Sequence, residues 1–310
     1  MSKVDLQQLV ERIIERNRNW TQEGETAEYI PELKKADPAA LGLTVLQTDG
    51  KEFSAGEHTI PFTLQSISKV FSLLLALLDQ GEEKVFEKVG MEPTGDPFNS
   101  IIKLETKQPA KPLNPMINAG AIAVTGLVRG ASKEEKFQRI LAFIRKVAGN
   151  TKIKVNEAVY SSEKRTGDRN RSLAFFLKDV GALEADPLET VDIYFRQCAI
   201  EVTCLDLARM ALFLARQGVV FGGAESLIPP RYIRIVKTFM VTCGMYDGSG
   251  EFAINVGIPA KSGVSGGIMA LVPNKMGIGV FGPALDRKGN SIAGIHVLAD
   301  LSDALQLSIF

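Results

Sequence analysis

Apolar residues recur along this chain with a helical period at first, then alternate, then turn helical again before a second β-like region. Leu6, Leu9, Val10, Ile13 and Ile14 are spaced three and four apart among charged residues, which predicts an amphipathic helix. Residues 43–56 (LTVLQTDGKEFSAG) place β-forming residues on either side of Asp49-Gly50 and predict a β-hairpin. From about Ser66 to about Gln217 the spacing is mainly helical, and the apolar run Val70 to Leu78 predicts a core helix. Ser132 and Glu135 form a capping-box pattern opening a helix through Ala148, and Thr203 and Asp206 open another that stops at Gly218. Three short apolar runs follow, 251–256 (EFAINV), 266–272 (GGIMALV) and 276–282 (MGIGVFG), separated by Gly, Pro and Asn, and they predict three strands. A closing helix is expected from about Ser291.

Strands near both ends of the chain predict one antiparallel sheet from subregions 1–65 and 220–310, with the helical residues 66–219 inserted beside it. That is an α+β layout, read as a single unit over residues 1–310. Composition changes this picture little: 45% hydrophobic and 23% charged residues are ordinary globular values. The charge balance matters more. Lys plus Arg and Asp plus Glu are both 36, which leaves no global basic field for nucleic acid or an anionic membrane. The run Val70 to Leu78 is nine residues, about half a bilayer span. Three cysteines without metal-type spacing, and no signal-peptide pattern, predict reduced thiols and a cytoplasmic protein. Only two histidines, His58 and His296, leave no His-rich metal site, and any His-dependent triad must use one of these two.

Two motifs mislead. Residues 263–267 match G-x-S-x-G, with Asp286 and His296 downstream in hydrolase order, but Ser265 precedes a predicted strand where a nucleophile elbow needs a helix. Residues 277–282 match G-x-G-x-x-G, yet Pro283 follows where a phosphate-facing helix would start, so a glycine-rich strand is expected.

Ser66 and Lys69 lie at the start of the long apolar helix, three apart and on one face. A serine there has its own N–H among the helix's unpaired donors, and a buried lysine near the positive helix end has a lowered pKa. This is a nucleophile and base that need no histidine. The spacing is weak by itself, because Ser161 and Lys164 share it in a polar stretch, and in isolation Ser66 reads first as a helix cap with a solvated lysine one turn on. Lys261-Ser262-Gly263, before an apolar run, strengthens it: Ser-x-x-Lys followed by Lys-[Ser/Thr]-Gly is the pattern of serine β-lactamases and penicillin-binding proteins. A second lysine beside the first would lower the Lys69 pKa further, although Lys261 alone also reads as an edge-strand lysine.

Seven motifs in one order then carry a closer resemblance: GETAEYIP (Tyr29), QSISK (Gln65, Ser66, Lys69), NPMINAGAI (Asn118), SEKRTGDRN (Glu163, Asn170), DIYFRQC (Tyr194), MYDGSG (Tyr246) and PAKSGVSGGI (Lys261, Val264). The chain resembles the short bacterial glutaminases over nearly its whole length. The resemblance implies a serine β-lactamase/transpeptidase-like fold and cofactor-free hydrolysis of L-glutamine to L-glutamate and ammonia through a glutamyl-serine intermediate. It implies Ser66 as nucleophile, Lys69 as base, Tyr246 as proton shuttle, and the N–H groups of Ser66 and Val264 as oxyanion donors. Glu163 would meet the substrate ammonium, and Asn118, Asn170, Tyr194 and Tyr29 its carboxylate, with Gln65 lining the pocket. A homo-oligomer, dimer or tetramer, is also implied.

Pattern alone leaves plainer readings. Asn118 reads as a helix N-cap, Glu163 as part of a solvated charged loop, Tyr194 as core, Gln65 as a lead-in to the helix, and Tyr246 as a loop tyrosine packed on the sheet. Two other functions stay open at this level: another Ser-Lys hydrolase (β-lactamase, D,D-peptidase or esterase), and a catalytically silent glutamine- or glutamate-binding protein.

Overall fold

The computed structural model describes residues 5–95 and 110–310. Its strands in chain order are β1 (Gly42–Gln47), β2 (Glu52–Gly56), β3 (Phe62–Thr63), β4 (Glu201–Val202), β5 (Ala260–Ser262), β6 (Gly267–Val272) and β7 (Met276–Phe281). The helices begin with α1 (Leu6–Asn17), α2 (Ser68–Lys88), α3 (Asn118–Leu127), α4 (Lys133–Ala148), α5 (Glu157–Thr166) and α6 (Asp168–Asp179). They continue with α7 (Pro187–Cys198), α8 (Cys204–Ala215), α9 (Pro230–Thr242), α10 (Ser249–Asn255) and α11 (Ile292–Leu305).

Strands from both ends of the chain do form one antiparallel sheet, in the order β2-β1-β7-β6-β5. The predicted hairpin supplies its edge, with Val45 opposite Phe53 and, on the other side, Ile278. One face buries Leu43, Val45, Ile268, Ala270, Ile278 and Val280 against the apolar stripe of α1 and against Val297, Leu298 and Leu301 of α11. The other face meets α8, whose capping box is complete: Asp206 N–H donates to Thr203 Oγ1, and Thr203 N–H to Asp206 Oδ2. Most of the other helices enclose a second core around α2, where Phe71, Leu73, Leu74 and Leu77 are fully buried.

Period two in β7 explains the glycine-rich run. Ile278 and Val280 point to α1 and α11, while Gly277 and Gly279 face α8, where a Cβ would collide with the carbonyl oxygens of Ala208 and Cys204. The glycines let a helix lie flush on the strand, as the reading of this run as a strand requires. Gly279→Ala is therefore expected to lower the unfolding free energy by about 1–3 kcal/mol or more, because the obstruction is backbone and cannot rotate away. Urea unfolding at fixed pH measures this; an unchanged midpoint would show that α8 can retreat.

Two expectations need correction. Residues 251–256 are not a strand: most of the run belongs to α10, in which Phe252 and, just beyond its end, Val256 are buried four residues apart, while Ile254 is 86% exposed. A period of four, not two, governs that run. The third strand of the C-terminal part is instead β5, which carries Lys261. At α4, Ser132 Oγ does accept the Glu135 N–H, but the Glu135 carboxylate accepts from Ala131 N–H, so the box is not reciprocal. The two-residue pair β3 and β4, too short to show a period, joins the chain before Ser66 to the end of α7. Among the described residues, no helix is long and apolar enough to cross a membrane.

Candidate active site

Ser66 lies in a single 3-10 turn, Gln65–Ile67, between β3 and α2. The turn starts at Gln65 with φ 49°, a left-handed value, so the chain reverses sharply and Ser66 is placed just ahead of the helix instead of inside its first turn. Ser66 is 7% exposed. Lys69, one turn on, is wholly buried; its Nζ donates to the Met116 carbonyl at 3.0 Å and to Asn118 Oδ1 at 2.7 Å. Burial, only partly opposed by Glu163, lowers its pKa to about 8. A neutral amine has two protons and one lone pair. The two acceptors take the protons, which leaves the lone pair for a third neighbour.

Lys261 comes from β5 and is also wholly buried. Its Nζ donates to the carbonyls of Ser262 (2.7 Å) and Gly244 (3.0 Å) and lies 4.4 Å from the centre of the Tyr246 ring. Burial first, and the like charge of Lys69 second, hold its pKa well below the usual lysine range. Tyr246 opens the turn Tyr246–Gly248 at φ 54°. Its hydroxyl donates to the Ser262 carbonyl at 3.3 Å and also meets the Ser66 hydroxyl. Burial pushes its pKa above the usual phenol value although the Ser66 contact pulls it down. Tyr246 therefore stays protonated where Lys69 titrates. Burial thus favours the neutral form of both groups, an amine with a free lone pair and a phenol that keeps its proton.

Around these groups stands a polar pocket. Asn118 is the first residue of α3, but its side chain caps nothing: Oδ1 accepts from Lys69 and from Tyr194 Oη (3.1 Å), and Nδ2 donates to Asn170 Oδ1 (3.1 Å). Glu163, in α5, is buried, with Oε1 accepting from Gln65 Nε2 at 2.9 Å. Burial raises its pKa to about 8, against the pull of Gln65 and Lys69. Tyr194, in α7, is 3% exposed. Val264 lies in the turn after β5, and its N–H donates to no group among the described residues.

Tyr29 and Val264 also line a cavity of 760 Å³, whose other walls include Glu25 and residues 286–289. Tyr29 is 55% exposed there. The contacts thus join Lys69, Asn118, Asn170 and Tyr194 in one set, Gln65 and Glu163 in a second, and Ser66, Tyr246 and Lys261 in a third through the Ser262 carbonyl, with Tyr29 and Val264 at the cavity. Pattern could not have found the carbonyls of Met116, Gly244 and Ser262 that hold the two lysines, because a backbone oxygen leaves no mark in a sequence.

The competing motif comes apart. Ser265 Oγ donates to the Thr63 carbonyl at 2.5 Å, while His296 on α11 stacks on Trp20 with ring centres 3.9 Å apart. The second Ser-x-x-Lys pair, Ser161 and Lys164, is exposed. Among the described residues, no group of three or more His, Cys, Asp or Glu could hold a metal ion, and all three cysteines are free and buried.

Comparison with known proteins agrees along the whole chain. The family model "Glutaminase" matches residues 24–310. A glutaminase of Clostridium tetani is 60% identical over 305 residues, covering 98% of this chain and all of its own. A crystal structure of a Bacillus glutaminase in 4.3 M NaCl superposes with a TM-score of 0.92 at 41% identity, over 99% of this chain and 100% of that one. The covalent complex between a Bacillus subtilis glutaminase and 5-oxo-L-norleucine, formed by reaction with 6-diazo-5-oxo-L-norleucine, superposes with a TM-score of 0.89 at 38% identity, over 99% and 100% of the two chains.

Proposed function

The chain belongs to the glutaminase family, with its serine β-lactamase-like fold, and we propose that Ser66 and Lys69 carry out its hydrolysis of L-glutamine to L-glutamate and ammonia. The observation that carries this mechanism is the buried Lys69 amine, with pKa near 8 and both protons engaged, one helical turn from Ser66. Lys69 takes the Ser66 proton as Oγ attacks the δ-carbonyl of glutamine. The oxyanion is met by the N–H groups of Ser66 and Val264. The C–N bond then breaks, and the proton held on Lys69 reaches the departing nitrogen through the Tyr246 hydroxyl, which contacts Ser66. Water attacks the glutamyl-serine ester and releases glutamate. Lys261, by holding the Ser262 carbonyl that receives the Tyr246 hydroxyl, keeps that relay in place.

Glu163 faces the substrate ammonium in this reading, with Gln65 orienting its carboxylate. Asn118, Asn170, Tyr194 and Tyr29 supply neutral donors to the α-carboxylate. Covalent capture of a relative by a diazo ketone whose 5-oxo group stands where glutamine has its amide carbonyl supports an enzyme nucleophile in the reaction. Residues 1–310 act as one catalytic unit, because Lys261, Tyr246 and Val264 come from the C-terminal part and Asn118, Glu163 and Tyr194 from the helical insertion. Reduced, buried cysteines support a cytoplasmic setting. A homo-oligomer rests on the family resemblance.

The pH profile tests the base. Lys69 acts only when deprotonated, so kcat for ammonia release should rise about tenfold per unit below pH 8 and level off above it. In the free enzyme Glu163 must also lose its proton before it can receive an ammonium, so kcat/KM should climb more steeply than kcat over the same range. L-asparagine, one methylene shorter, serves as the control substrate. A flat kcat from pH 6 to 9, with chemistry limiting, would rule out a titrating lysine; absence of ammonia release would leave a silent binding protein.

A further inference from the structure

The left-handed backbone of Tyr246 is unfavourable for any residue with a side chain, so the surrounding structure must hold it. Part of the restraint is local: Ser249 Oγ donates to the Tyr246 carbonyl at 2.8 Å and accepts the Met245 N–H at 3.0 Å. The rest comes from a turn that the catalytic scheme does not use, Asp286–Asn290. Asp286 Oδ1 accepts the N–H groups of Lys288 (2.8 Å) and Asn290 (2.9 Å), and the ends close by Asp286 N–H to the Asn290 carbonyl at 2.8 Å. Two contacts tie this turn to the Tyr246 segment, and a third residue lies close to the site. Asn290, 1% exposed, donates Nδ2 to the Met245 carbonyl at 3.2 Å. Lys288 Nζ pairs with Glu251, on α10 just after the Tyr246 turn, at 3.0 Å. Gly289, at φ 94°, has no side chain, and a Cβ there would lie 3.3 Å from Val264 Cγ1 and 3.6 Å from Tyr246 Cε2.

Asn290 Oδ1 is buried and accepts nothing among the described residues. Packing alone would be served as well by leucine, so the amide stands there for what its Nδ2 holds. We infer that the Asp286–Asn290 turn is the positioning element of this active site, with Asn290 aiming the Tyr246 hydroxyl through the Met245 carbonyl and Gly289, by lacking a side chain, leaving Val264 and the Tyr246 ring room in their places. Asn290 touches neither substrate nor reacting atoms and acts through Tyr246. The inference rests on the reading of Tyr246 as the proton shuttle.

A double-mutant cycle on the whole protein tests it, using kcat and KM for L-glutamine in wild type, Asn290→Ala, Tyr246→Phe and the double variant. Misplacing a reacting group by about 1 Å costs on the order of 10²-fold, so Asn290→Ala is expected to lower kcat by about 10- to 100-fold with KM changed by less than about threefold. In the Tyr246→Phe background, which has no hydroxyl to aim, Asn290→Ala should change kcat by less than about twofold. An equal loss in both backgrounds would overturn the inference, since the effect would then pass through the fold at large. So would an unchanged kcat in the single Asn290→Ala variant. Full kcat in Tyr246→Phe would instead strike the shuttle reading and take this inference with it, a result separable from the other two. If Asn290→Ala does not fold, Asn290→Leu keeps the volume, removes the donor and runs the same cycle.

Discussion

Ser66→Ala is expected to lower kcat for L-glutamine by about 10⁴-fold or more, the scale on which removing the nucleophile of a covalent hydrolase acts. Alanine removes one oxygen and leaves the turn, the Ser66 N–H and the pocket unchanged. The fold should tolerate it: Ser66 is a small residue whose side-chain contact is with the Tyr246 hydroxyl, which keeps the Ser262 carbonyl as partner. Three measurements on one preparation check this. Ammonia release should vanish, thermal unfolding should stay close to wild type, and exposure to 6-diazo-5-oxo-L-norleucine should add mass to wild type but not to the variant. Turnover within tenfold of wild type would remove Ser66 from the nucleophile's role. Loss of turnover with adduct formation intact would point to another nucleophile.

The second large effect belongs to Lys69→Met, which keeps the buried stem and removes the amine. Kcat should fall by about 10²–10⁴-fold, the range for a general base, with a smaller change in KM because Lys69 is not assigned to hold substrate. The same variant has a thermodynamic signature. The folded-state pKa of Lys69 is lowered to about 8 from an ordinary 10.5, so above pH 8 the unfolded chain binds more protons than the folded one. The sign follows directly: wild-type stability rises between about pH 8 and 10.5 through this group, and its burden is fully present below pH 8. A shift of this size corresponds to about 3 kcal/mol, so the stability of wild type relative to Lys69→Met should rise by about that order from pH 7.5 to pH 10.5. Urea unfolding of both proteins at the two pH values measures the difference, with the other titrating groups common to both chains. No change in that difference would mean that Lys69 is not titrating where the mechanism needs it. Near-normal kcat in Lys69→Met would remove it from the base's role.

Much of this was legible because it is local. The three-residue spacing of Ser66 and Lys69 is visible in the sequence, although the left-handed Gln65 that puts Ser66 in a 3-10 turn ahead of α2 is not, and the stripe from Leu6 to Ile14 needed only its own spacing to be read as α1. The run 251–256 was misread because six residues can suit either period, and only the packing of Phe252 and Val256 selects the helix. The plain readings of Asn118 and Glu163 were reasonable on the same ground. A cap and a charged loop are what those residue types form when nothing distant meets them. Here Lys69 and Tyr194 meet Asn118, and Gln65 meets Glu163 from 98 positions away.

By itself, then, the sequence determined most of the periods, the two-ended sheet and, through seven ordered motifs, the family. Tertiary structure alone decided the direction in which the proton affinity of each site group is shifted, for a physical reason. A side chain's proton affinity depends on how much water is excluded around it and on which dipoles replace that water, and both come from remote segments. The Met116 carbonyl and the Asn118 side chain occupy the two protons of a neutral Lys69, burial pushes Tyr246 the opposite way, and a turn forty residues downstream of Tyr246 holds it at φ 54°.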